Sequence, residues 1–341
     1  MSRPTVAGVA RAAGVSVASV SRVLNGLPAT EEMVERVQRA VQELGYVPDS
    51  RARSLKVGRT FQLTLAVADV GNPVYVTMMR AVEEVVSAAG YRLVVTTTGP
   101  DVVDEVALVR GMARGYADGL VISPLRVDDD LIKSIRECEV PVVVAGNVPA
   151  SAGVDTVRAN SPKGMRLAVE HLLAKGRRRI AFVNGPVDTV PGAARAKGFA
   201  DAMKANKLKP VAAVEAVDFT FAAGREAGRE LLDTLAGGNG GATGKSAAPD
   251  AVIAANDLLA VGIMHELAAR DLAVPADVAV IGMDDSELAE QSFPPLTSVN
   301  LGSAERGRRA AELLLARIED STRTPRRIVV QPTLSVRRST P

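Results

Sequence analysis

The sequence predicts an α/β protein: an N-terminal helix-turn-helix domain of three helices, a short hinge helix, and a two-lobed body of parallel sheets covered by helices. Three observations predict it. Capping residues and helical apolar spacing recur through the first 45 residues, and a basic segment that begins with proline follows. From residue 61 onward, short Val- and Ile-rich runs alternate with amphipathic stretches. A chain of 341 residues is long enough for two or three domains, each with its own core.

Composition narrows the class of protein. Apolar residues make up 47% of the chain and aromatics only 3%, so the cores must be built from Val, Leu, Ala and Ile. The one cysteine, Cys138, allows no intrachain disulfide and fits a reducing compartment. No apolar run has membrane-spanning length and no apolar signal-peptide core is present, so we expect a cytoplasmic protein with no membrane partner.

Charge is unevenly distributed along the chain. Residues 1–60 contain nine Arg and Lys and five acidic residues, a net charge of +4, whereas the whole chain carries +2 and the remainder therefore −2. A basic segment ahead of a mildly acidic body favours a polyanion as its partner, although a solvated basic surface has the same composition.

Three short helices are predicted in the first 45 residues. Thr5, Ser16 and Thr30 are placed to cap them, and Gly14 and Gly45 end the first and the third. Two helices joined by a tight turn at Gly14 form a helix-turn-helix pattern. The apolar positions of the first and third helices are Val6, Val9, Ala10 and Ala13, and Val34, Val37, Val41 and Leu44.

The second of these helices has two different faces. At about 100° per residue, Val20, Val23 and Leu24 fall within one stripe that packs on the other helices. The opposite arc has small polar side chains and one arginine, which can donate two hydrogen bonds to guanine in a major groove. Val17 lies at the border, where it is either core or a contact to a thymine methyl group. The outward arc consists of Ala18, Ser21, Arg22 and Asn25.

A basic hinge is predicted between Pro48 and residue 60. Asp49 or Ser50 can cap a helix of about two turns, too short to be stable alone in water. One interpretation is a basic linker; the other is a segment that folds on DNA, with Leu55 as a wedge between base steps in the minor groove. Its basic residues are Arg51, Arg53, Lys56 and Arg59.

The body is predicted to contain ten strands in two α/β lobes, with the break near residue 160. Continuous apolar strands joined by helical crossovers indicate parallel sheets covered on both faces, and ligands bind such sheets at the carboxyl ends of the strands. The predicted strands are 63–70, 92–98, 119–124, 141–147, 155–160, 179–185, 213–219, 251–257, 278–285 and 296–301.

Polar residues recur at the ends of these strands. Each alone is weak evidence, since such residues also form turns, but their repetition suits a hydroxyl-rich ligand that needs paired donors and acceptors. The residues are Asp69, Asn72, Ser123, Asn147, Asn160, Asn184, Asn256, Asp284 and Asp285, with Phe219 at one further strand end.

Two N-terminal stretches, "PTVAGVARAAGVSVASVSRVLNG" and "ELGYVPDSRARSLKVGRT", resemble the DNA-binding signature of the lactose-repressor (LacI/GalR) family of bacterial transcription regulators. The resemblance implies that Val17, Ala18 and Arg22 face the bases. It also favours paired hinge helices in a dimer. Gly8 departs from the family, which usually has an acidic residue there. The DNA-binding residues assigned on this basis are Thr5, Ser16, Val17, Ala18, Ser21, Arg22, Asn25, Arg51 and Leu55.

The body resembles the effector-binding core of the same family through "GNPVY", "DGLVISP", "AVEHLLAKGRRRIAFVNGP", "RAKGF", "AANDLLAVG" and "DVAVIGMDDSELA". The implied architecture is periplasmic-binding-protein-like. Gly146 and Asn147 stand where the family commonly has an acidic residue followed by arginine, which removes one hydroxyl acceptor. The effector-binding residues assigned on this basis are Asp69, Asn72, Tyr75, Ser123, Arg195, Phe219, Asn256 and Asp284.

The expected domains are the helix-turn-helix domain 1–47, the hinge 48–60 and the body 61–341. The resemblance implies three chain crossings between the lobes. One helix-turn-helix reads one half-site, so a homodimer on a palindromic operator is expected. The lobes are expected at about 61–160 with 296–320, and at about 161–295 with 321–341.

Enzyme motifs are absent from the sequence. "GATGKS" resembles a phosphate-binding loop, but Asn239 stands where that motif needs glycine, so 237–249 is interpreted as a surface-loop insertion. His171 and His265 have no companions at metal-ligand spacing, and no G-x-G-x-x-G or G-x-S-x-G element is present in a suitable context. We therefore expect no enzymatic activity, no metal and no cofactor.

The function predicted from these patterns is that of a DNA-binding transcriptional repressor controlled by a small effector, which the resemblance implies is a sugar or sugar derivative. One alternative is a corepressor-type regulator that responds to a nucleobase or nucleoside. The other is a sugar-binding transport protein, which would share the two-lobed body but lack the DNA-binding head.

Overall fold

The computed structural model describes residues 4–47, 58–99, 101–236 and 248–341. The chain divides into two compact units, Met1–Thr60 and Phe61–Pro341. The predicted hinge helix, with Arg51 and Leu55, lies outside the described residues, as does 237–247, the greater part of the predicted loop insertion.

The N-terminal unit contains the three predicted helices, α1 (Val6–Ala13), α2 (Val17–Leu24) and α3 (Glu31–Leu44). Each predicted capping residue accepts a backbone hydrogen bond three residues along the chain, over distances of 3.2, 3.1 and 3.4 Å. The core of the unit consists of Val9, Ala10, Ala13, Val20, Val37 and Ala40.

Arg36 fixes the turn of the helix-turn-helix. Gly14 ends α1 in the left-handed conformation (φ 62°). From α3, Nε and Nη2 of Arg36 donate to the carbonyl oxygen of Ala13 over 3.0 and 2.6 Å, and Nη2 also donates to that of Gly14 over 2.8 Å. These bonds satisfy carbonyl groups that the end of α1 leaves without helical partners.

We expect Arg36→Met to destabilise the turn by about 1–2 kcal/mol, because carbonyl groups at the end of α1 lose a charged donor. Hydrogen exchange of the full chain, read by mass spectrometry of peptides from residues 4–47, measures how often the turn opens. Arg39→Met, which removes an exposed arginine of the same helix, is the control. Equal exchange in both variants would contradict the role assigned to Arg36.

The first lobe is a sheet of six parallel strands in the order β11-β5-β4-β3-β1-β2. Side chains alternate between its faces: Val121 packs with the helices at 73–88 and 303–319, whereas Leu120 and Ile122 pack with those at 102–111 and 129–136. The strands are β1 (Gln62–Val67), β2 (Arg92–Thr97), β3 (Leu120–Ser123), β4 (Val142–Val144), β5 (Asp155–Ala159) and β11 (Arg327–Val330). The helices are α4 (Pro73–Ala88), α5 (Val102–Gly111), α6 (Asp129–Arg136) and α12 (Ser303–Glu319).

The second lobe is also a six-stranded sheet, in the order β12-β10-β9-β8-β6-β7, in which only β12 is antiparallel to its neighbour. Its strands are β6 (Ile180–Asn184), β7 (Ala212–Glu215), β8 (Ala251–Ala254), β9 (Ala279–Met283), β10 (Thr297–Asn300) and β12 (Thr333–Ser335). Its helices are α7 (Ser161–Ala174), α8 (Val190–Ala205), α9 (Phe221–Ala236), α10 (Asp257–Ala268) and α11 (Glu287–Gln291).

The chain crosses between the lobes three times: after β5, between β10 and α12, and between β11 and β12. Two expected lobe boundaries are wrong. Residues 297–300 were expected in the first lobe, but β10 pairs with β9 of the second lobe. Residues 327–330 were expected in the second lobe, but β11 pairs with β5 of the first lobe. All ten predicted strands are present, whereas the short strands β11 and β12 were not predicted.

Candidate functional site

The outer face of α2 is exposed in the N-terminal unit. Val20 is fully buried, whereas Val17 is 47% exposed and therefore does not belong to the core. Ala18 and Arg22 are also exposed. The Arg22 side chain makes one long hydrogen bond, from Nη1 to the carbonyl oxygen of Pro28 over 3.4 Å. The angular separation predicted for this helix is thus present, with Val17 on the outward side.

Three of the predicted DNA-binding residues hold the ends of these helices. Thr5 and Ser16 cap α1 and α2. Asn25 donates from Nδ2 to the carbonyl oxygen of Ser21 over 2.6 Å and to its Oγ over 3.3 Å. Ser21 is partly buried rather than fully outward. Exposed helix N-termini with hydroxyl caps suit phosphate contacts, which stay a prediction here.

A cavity of about 870 Å³ lies between the two lobes of the body. It is bordered by residues that follow the carboxyl ends of β1, β3, β4, β5, β7 and β9, where a ligand of parallel sheets is expected. Its volume lies in the range of small-molecule sites. Seven of the eight predicted effector-binding residues line it, namely Asp69, Asn72, Tyr75, Ser123, Arg195, Phe219 and Asp284.

Asn256 is the exception among the predicted residues. It is buried and caps α10, because its Oδ1 accepts from the backbone N–H of Leu259 over 2.9 Å. Its Nδ2 donates to the carbonyl oxygen of Phe219 over 2.9 Å. Each polar atom of the amide makes one bond within the protein, so Asn256 supports the backbone of a residue that lines the cavity, and its expected contact with a ligand hydroxyl stays a prediction.

Sequence reasoning missed several charged residues of the cavity wall. Arg306 lies in the first turn of α12, which follows the carboxyl end of β10. Because ligands bind parallel sheets at the carboxyl ends of strands, its position after a predicted strand was the available signal. Lys197 lies two residues after Arg195 on α8, and Arg158 lies on β5.

Buried charges face one another in this wall. Nη2 of Arg195 lies 3.3 Å from Oδ1 of Asp284, and both side chains are less than a tenth exposed. Burial raises the pKa of Asp284, although Arg195 and Arg306 oppose that rise. Burial likewise lowers the pKa of Arg306 and raises that of Tyr75, although neighbouring Ser123 opposes the rise at Tyr75. Desolvation therefore dominates the electrostatics of the cavity.

Phe219 gives the cavity an aromatic surface. The guanidinium of Arg195 lies 5.7 Å from the centre of its ring, within cation–π range. The ring also packs against Gly185, where any side chain would collide with it. The absence of a side chain at residue 185 leaves room for the ring in the cavity wall, where it offers an aromatic surface to a ligand.

Ion pairs and a backbone bond join the lobes around the cavity. Arg126 of the first lobe makes a two-point ion pair with Asp188 of the second, over 2.8 and 3.1 Å. The adjacent carbonyl oxygen of Leu125 accepts from the N–H of Val190 over 2.8 Å. Arg80 and Glu287 form a further exposed pair over 2.9 Å. A ligand that changes the lobe arrangement would act on these contacts.

Glu105 supports the loop that makes these contacts. Its side chain is buried, and Oε1 accepts from the N–H of Leu125 over 3.2 Å, while Oε2 has no partner among the described residues. Burial raises the pKa of this carboxyl to about 7.

We expect the stability of the body to fall as the pH rises from about 4.5 to about 7, because the unfolded chain releases the Glu105 proton at the lower pH and the folded chain keeps it. Glu105→Gln keeps the acceptor and removes the titration, so it should flatten this part of the curve. Urea midpoints between pH 4.5 and 8 measure it, with Glu137→Gln, at an exposed position, as the control. If the urea midpoint of Glu105→Gln depended on pH as steeply as that of the wild type, the raised pKa of Glu105 would be contradicted.

Among the described residues, no group of three or more His, Cys, Asp or Glu side chains is placed to hold a metal ion. Within the same residues, no single helix has the length and hydropathy of a membrane span. Helices α1 and α2 reach that length and hydropathy only when taken together, and they are bent by 102° relative to each other.

Comparisons with known proteins agree with this architecture. A family model described as bacterial regulatory proteins, lacI family, matches residues 5–49, and one for a periplasmic binding protein-like domain matches residues 169–340. The HTH-type transcriptional regulator CelR of Thermobifida fusca is 37% identical over 350 residues, covering 99% of this chain and 98% of its own length.

Two solved structures are similar over nearly the whole chain. The complex of the transcriptional regulator CelR with cellobiose has a TM-score of 0.72 and 36% identity, covering 99% of this chain and all of its own. The lac repressor dimer bound to operator and the anti-inducer ONPF has a TM-score of 0.86 and 26% identity, covering 99% of each chain. The predicted fold class is confirmed, and the similar proteins are DNA-binding regulators rather than enzymes.

Proposed function

This chain belongs to the lacI family of bacterial regulatory proteins, and we propose that it is a transcriptional repressor whose operator binding is controlled by a small effector held between the lobes of its body. The observation that carries the proposal is the presence, in one chain, of an outward-facing helix that suits a major groove and a cavity lined by charged and aromatic residues. A transport protein would need only the second of these, so that alternative is not favoured.

In the DNA complex that we propose, α2 lies in the major groove. Arg22 donates to guanine and Val17 contacts a thymine methyl group, while Ala18 allows close approach. The capped starts of α1 and α2 face phosphates. In this proposal the hinge residues Arg51 and Leu55 act in the minor groove, as the family resemblance implies.

A homodimer on a palindromic operator completes the proposal. One helix-turn-helix reads a single half-site, so two copies are needed for a symmetric site. The lac repressor, which is similar over 99% of this chain, was solved as a dimer on its operator. We place the protein in the cytoplasm, where its DNA partner is.

The proposed effector is a sugar or sugar derivative. Asp284 and Asp69 can accept from ligand hydroxyl groups, and Phe219 can stack on a ring. The similar regulator CelR was solved with cellobiose, which supports a carbohydrate. A corepressor that strengthens operator binding would use the same cavity, and only the direction of the ligand effect separates it from an inducer.

The proposed mechanism follows from the three chain crossings and the contacts between lobes. A ligand that binds one lobe arrangement more tightly stabilises it, and it shifts operator affinity only through that difference. The ion pair between Arg126 and Asp188 and the bond between Val190 and Leu125 are the contacts that such a change would strengthen or break.

Selection of operator sequences from a random DNA library, followed by fluorescence anisotropy with the full chain, tests this function. We expect a palindromic site bound in preference to random DNA, with affinity that falls steeply as salt rises because phosphate contacts release counterions. A ligand found by thermal shift should then change the operator affinity. Absence of any selected site, or a flat salt response, would refute DNA recognition by the basic head.

A further inference from the structure

We infer that the effector is an anion: the cavity is built for a hydroxylated molecule with a carboxylate or phosphate group, bound by Arg306 and Arg195. This inference rests on the proposed function, because it names the chemistry of the ligand held in that same cavity.

Two guanidinium groups face a single buried carboxylate in the cavity wall. Arg195 comes from α8 in the second lobe and Arg306 from α12 in the first, and Asp284 interacts electrostatically with both. Neighbouring charges of the cavity lie nearer solvent. Lys197 and Asp218 are exposed, and solvent screens them. These two guanidinium groups and the one carboxylate leave an excess of one positive charge, and the partly buried Arg158 adds to it.

The donors of these arginines are largely unused. Within the described part of the chain, the guanidinium of Arg306 has no hydrogen-bond acceptor and no ion-pair partner, and its Nε is shielded from water. Nε of Arg195 is likewise buried without a partner, and Nη2 makes one long bond to Asp284. A guanidinium has five N–H donors, so most of the hydrogen-bonding capacity of the two groups has no acceptor among the described residues. Buried donors without acceptors are costly, and a ligand anion would remove that cost.

Asp284 does not cancel the excess. One carboxylate balances one guanidinium at most, and burial raises the pKa of Asp284, so any proton it takes up increases the positive charge. The exposed carboxylates at the rim already accept backbone N–H groups, Asp69 from Gly71 and Asp218 from Thr220, each over 2.7 Å. A neutral sugar would accept some hydrogen bonds but would leave the charge buried without compensation.

Helix N-termini add potential of the same sign. Helices α4, α7, α8 and α9 all begin at the cavity, and their partial positive charges favour an anion there. This alone would not define a site, but it reinforces the two arginines. The first-turn or capping residues in the wall are Asn72, Ser161, Pro162, Val190, Pro191 and Thr220.

The first test uses no effector. Arg306→Met removes the uncompensated charge, so we expect the melting temperature of the ligand-free full chain to rise by about 2–4 °C. Sodium phosphate, compared with sodium chloride at equal ionic strength, should stabilise the wild type and have a smaller effect on this variant. Arg309→Met is the control, since Arg309 lies on the same helix and pairs at the surface with Glu305 and Glu312. The inference would be overturned if Arg306→Met lowered the melting temperature and phosphate raised that temperature as much in the variant as in the wild type.

The second test compares matched ligands by isothermal calorimetry: glucose, glucuronate and glucose 6-phosphate, and the same set built on galactose. We expect an anionic member to bind about ten- to a hundredfold more tightly than its neutral partner, and Arg306→Met to abolish that preference. Comparing glucuronate with glucose 6-phosphate shows whether the cavity prefers a carboxylate or a phosphate. Equal or tighter binding of the neutral sugars would refute an anionic effector.

Failure of the inference is distinguishable from failure of the proposed function. If the wild-type chain binds its selected operator and its ligands show no preference for anions, only the inference falls. If it binds no selected DNA, the proposed repressor function falls, whatever the cavity prefers.

Discussion

Replacing Arg22 with methionine is expected to weaken operator binding by about 1–3 kcal/mol, about five- to 150-fold, without unfolding the head. Arg22 is exposed on the outer face of α2, and its side-chain hydrogen bond to Pro28, the one it makes among the described residues, is long, so methionine removes little structural support. What it removes is a two-point donor to a base edge. Fluorescence anisotropy at fixed salt, with the selected operator and with random DNA, measures the loss.

Comparing the loss of affinity on operator with that on random DNA shows whether Arg22 contacts a base. Arg22→Met should reduce affinity for the operator more than for random DNA and should relax selection at one base pair of each half-site. Arg39→Met, at an exposed site on α3, serves as a matched control with the same change of charge. Equal losses on operator and random DNA would mean that Arg22 contacts phosphate and that α2 is not the reading helix.

Replacing Asn256 with alanine is expected to lower the free energy of unfolding of the body by about 2–4 kcal/mol. Removing a helix cap costs about 1 kcal/mol, and leaving a buried carbonyl group without its donor costs a further 1–3 kcal/mol. Both losses apply here, because Asn256 caps α10 through Leu259 and donates to the carbonyl oxygen of Phe219. Urea denaturation monitored by circular dichroism measures the change.

Asn256→Ser separates the two contributions. Serine keeps the capping oxygen but is too short to replace the bond to Phe219, so only the capping contribution of about 1 kcal/mol should be recovered. Effector affinity should fall in both variants, because the backbone that carries the Phe219 ring loses its support. An Asn256→Ala chain with wild-type stability and weakened effector binding would show instead that Asn256 contacts the ligand directly.

Local signals explain why the head was predictable. Thr5, Ser16 and Thr30 cap their helices through bonds to residues three positions away, and Gly14 needs only its own positive φ. Val20 falls inward by helical spacing alone. Neighbouring residues set these features, so the local sequence predicts them, whereas the bonds from Arg36 that hold the turn come from a distant residue and were not predicted.

Long-range pairing explains what was missed in the body. The segment 296–301 was predicted as a strand, but its lobe depends on pairing with β9, and the short run in β11 depends on pairing with β5. Arg306 reaches the cavity because α12 begins just after a lobe crossing that was expected earlier in the chain. Asn256 follows a strand as expected, yet its amide is used by Leu259 and Phe219.

The central claim is that one chain couples a ligand in the cavity to DNA binding by the head. Its most direct test measures operator affinity by anisotropy with and without a bound ligand, and ligand affinity by calorimetry with and without operator. The two ratios must be equal, since coupling between sites is reciprocal, and we expect each to differ from one by about five- to 150-fold. A ligand that saturates the cavity and leaves operator affinity unchanged would contradict the account.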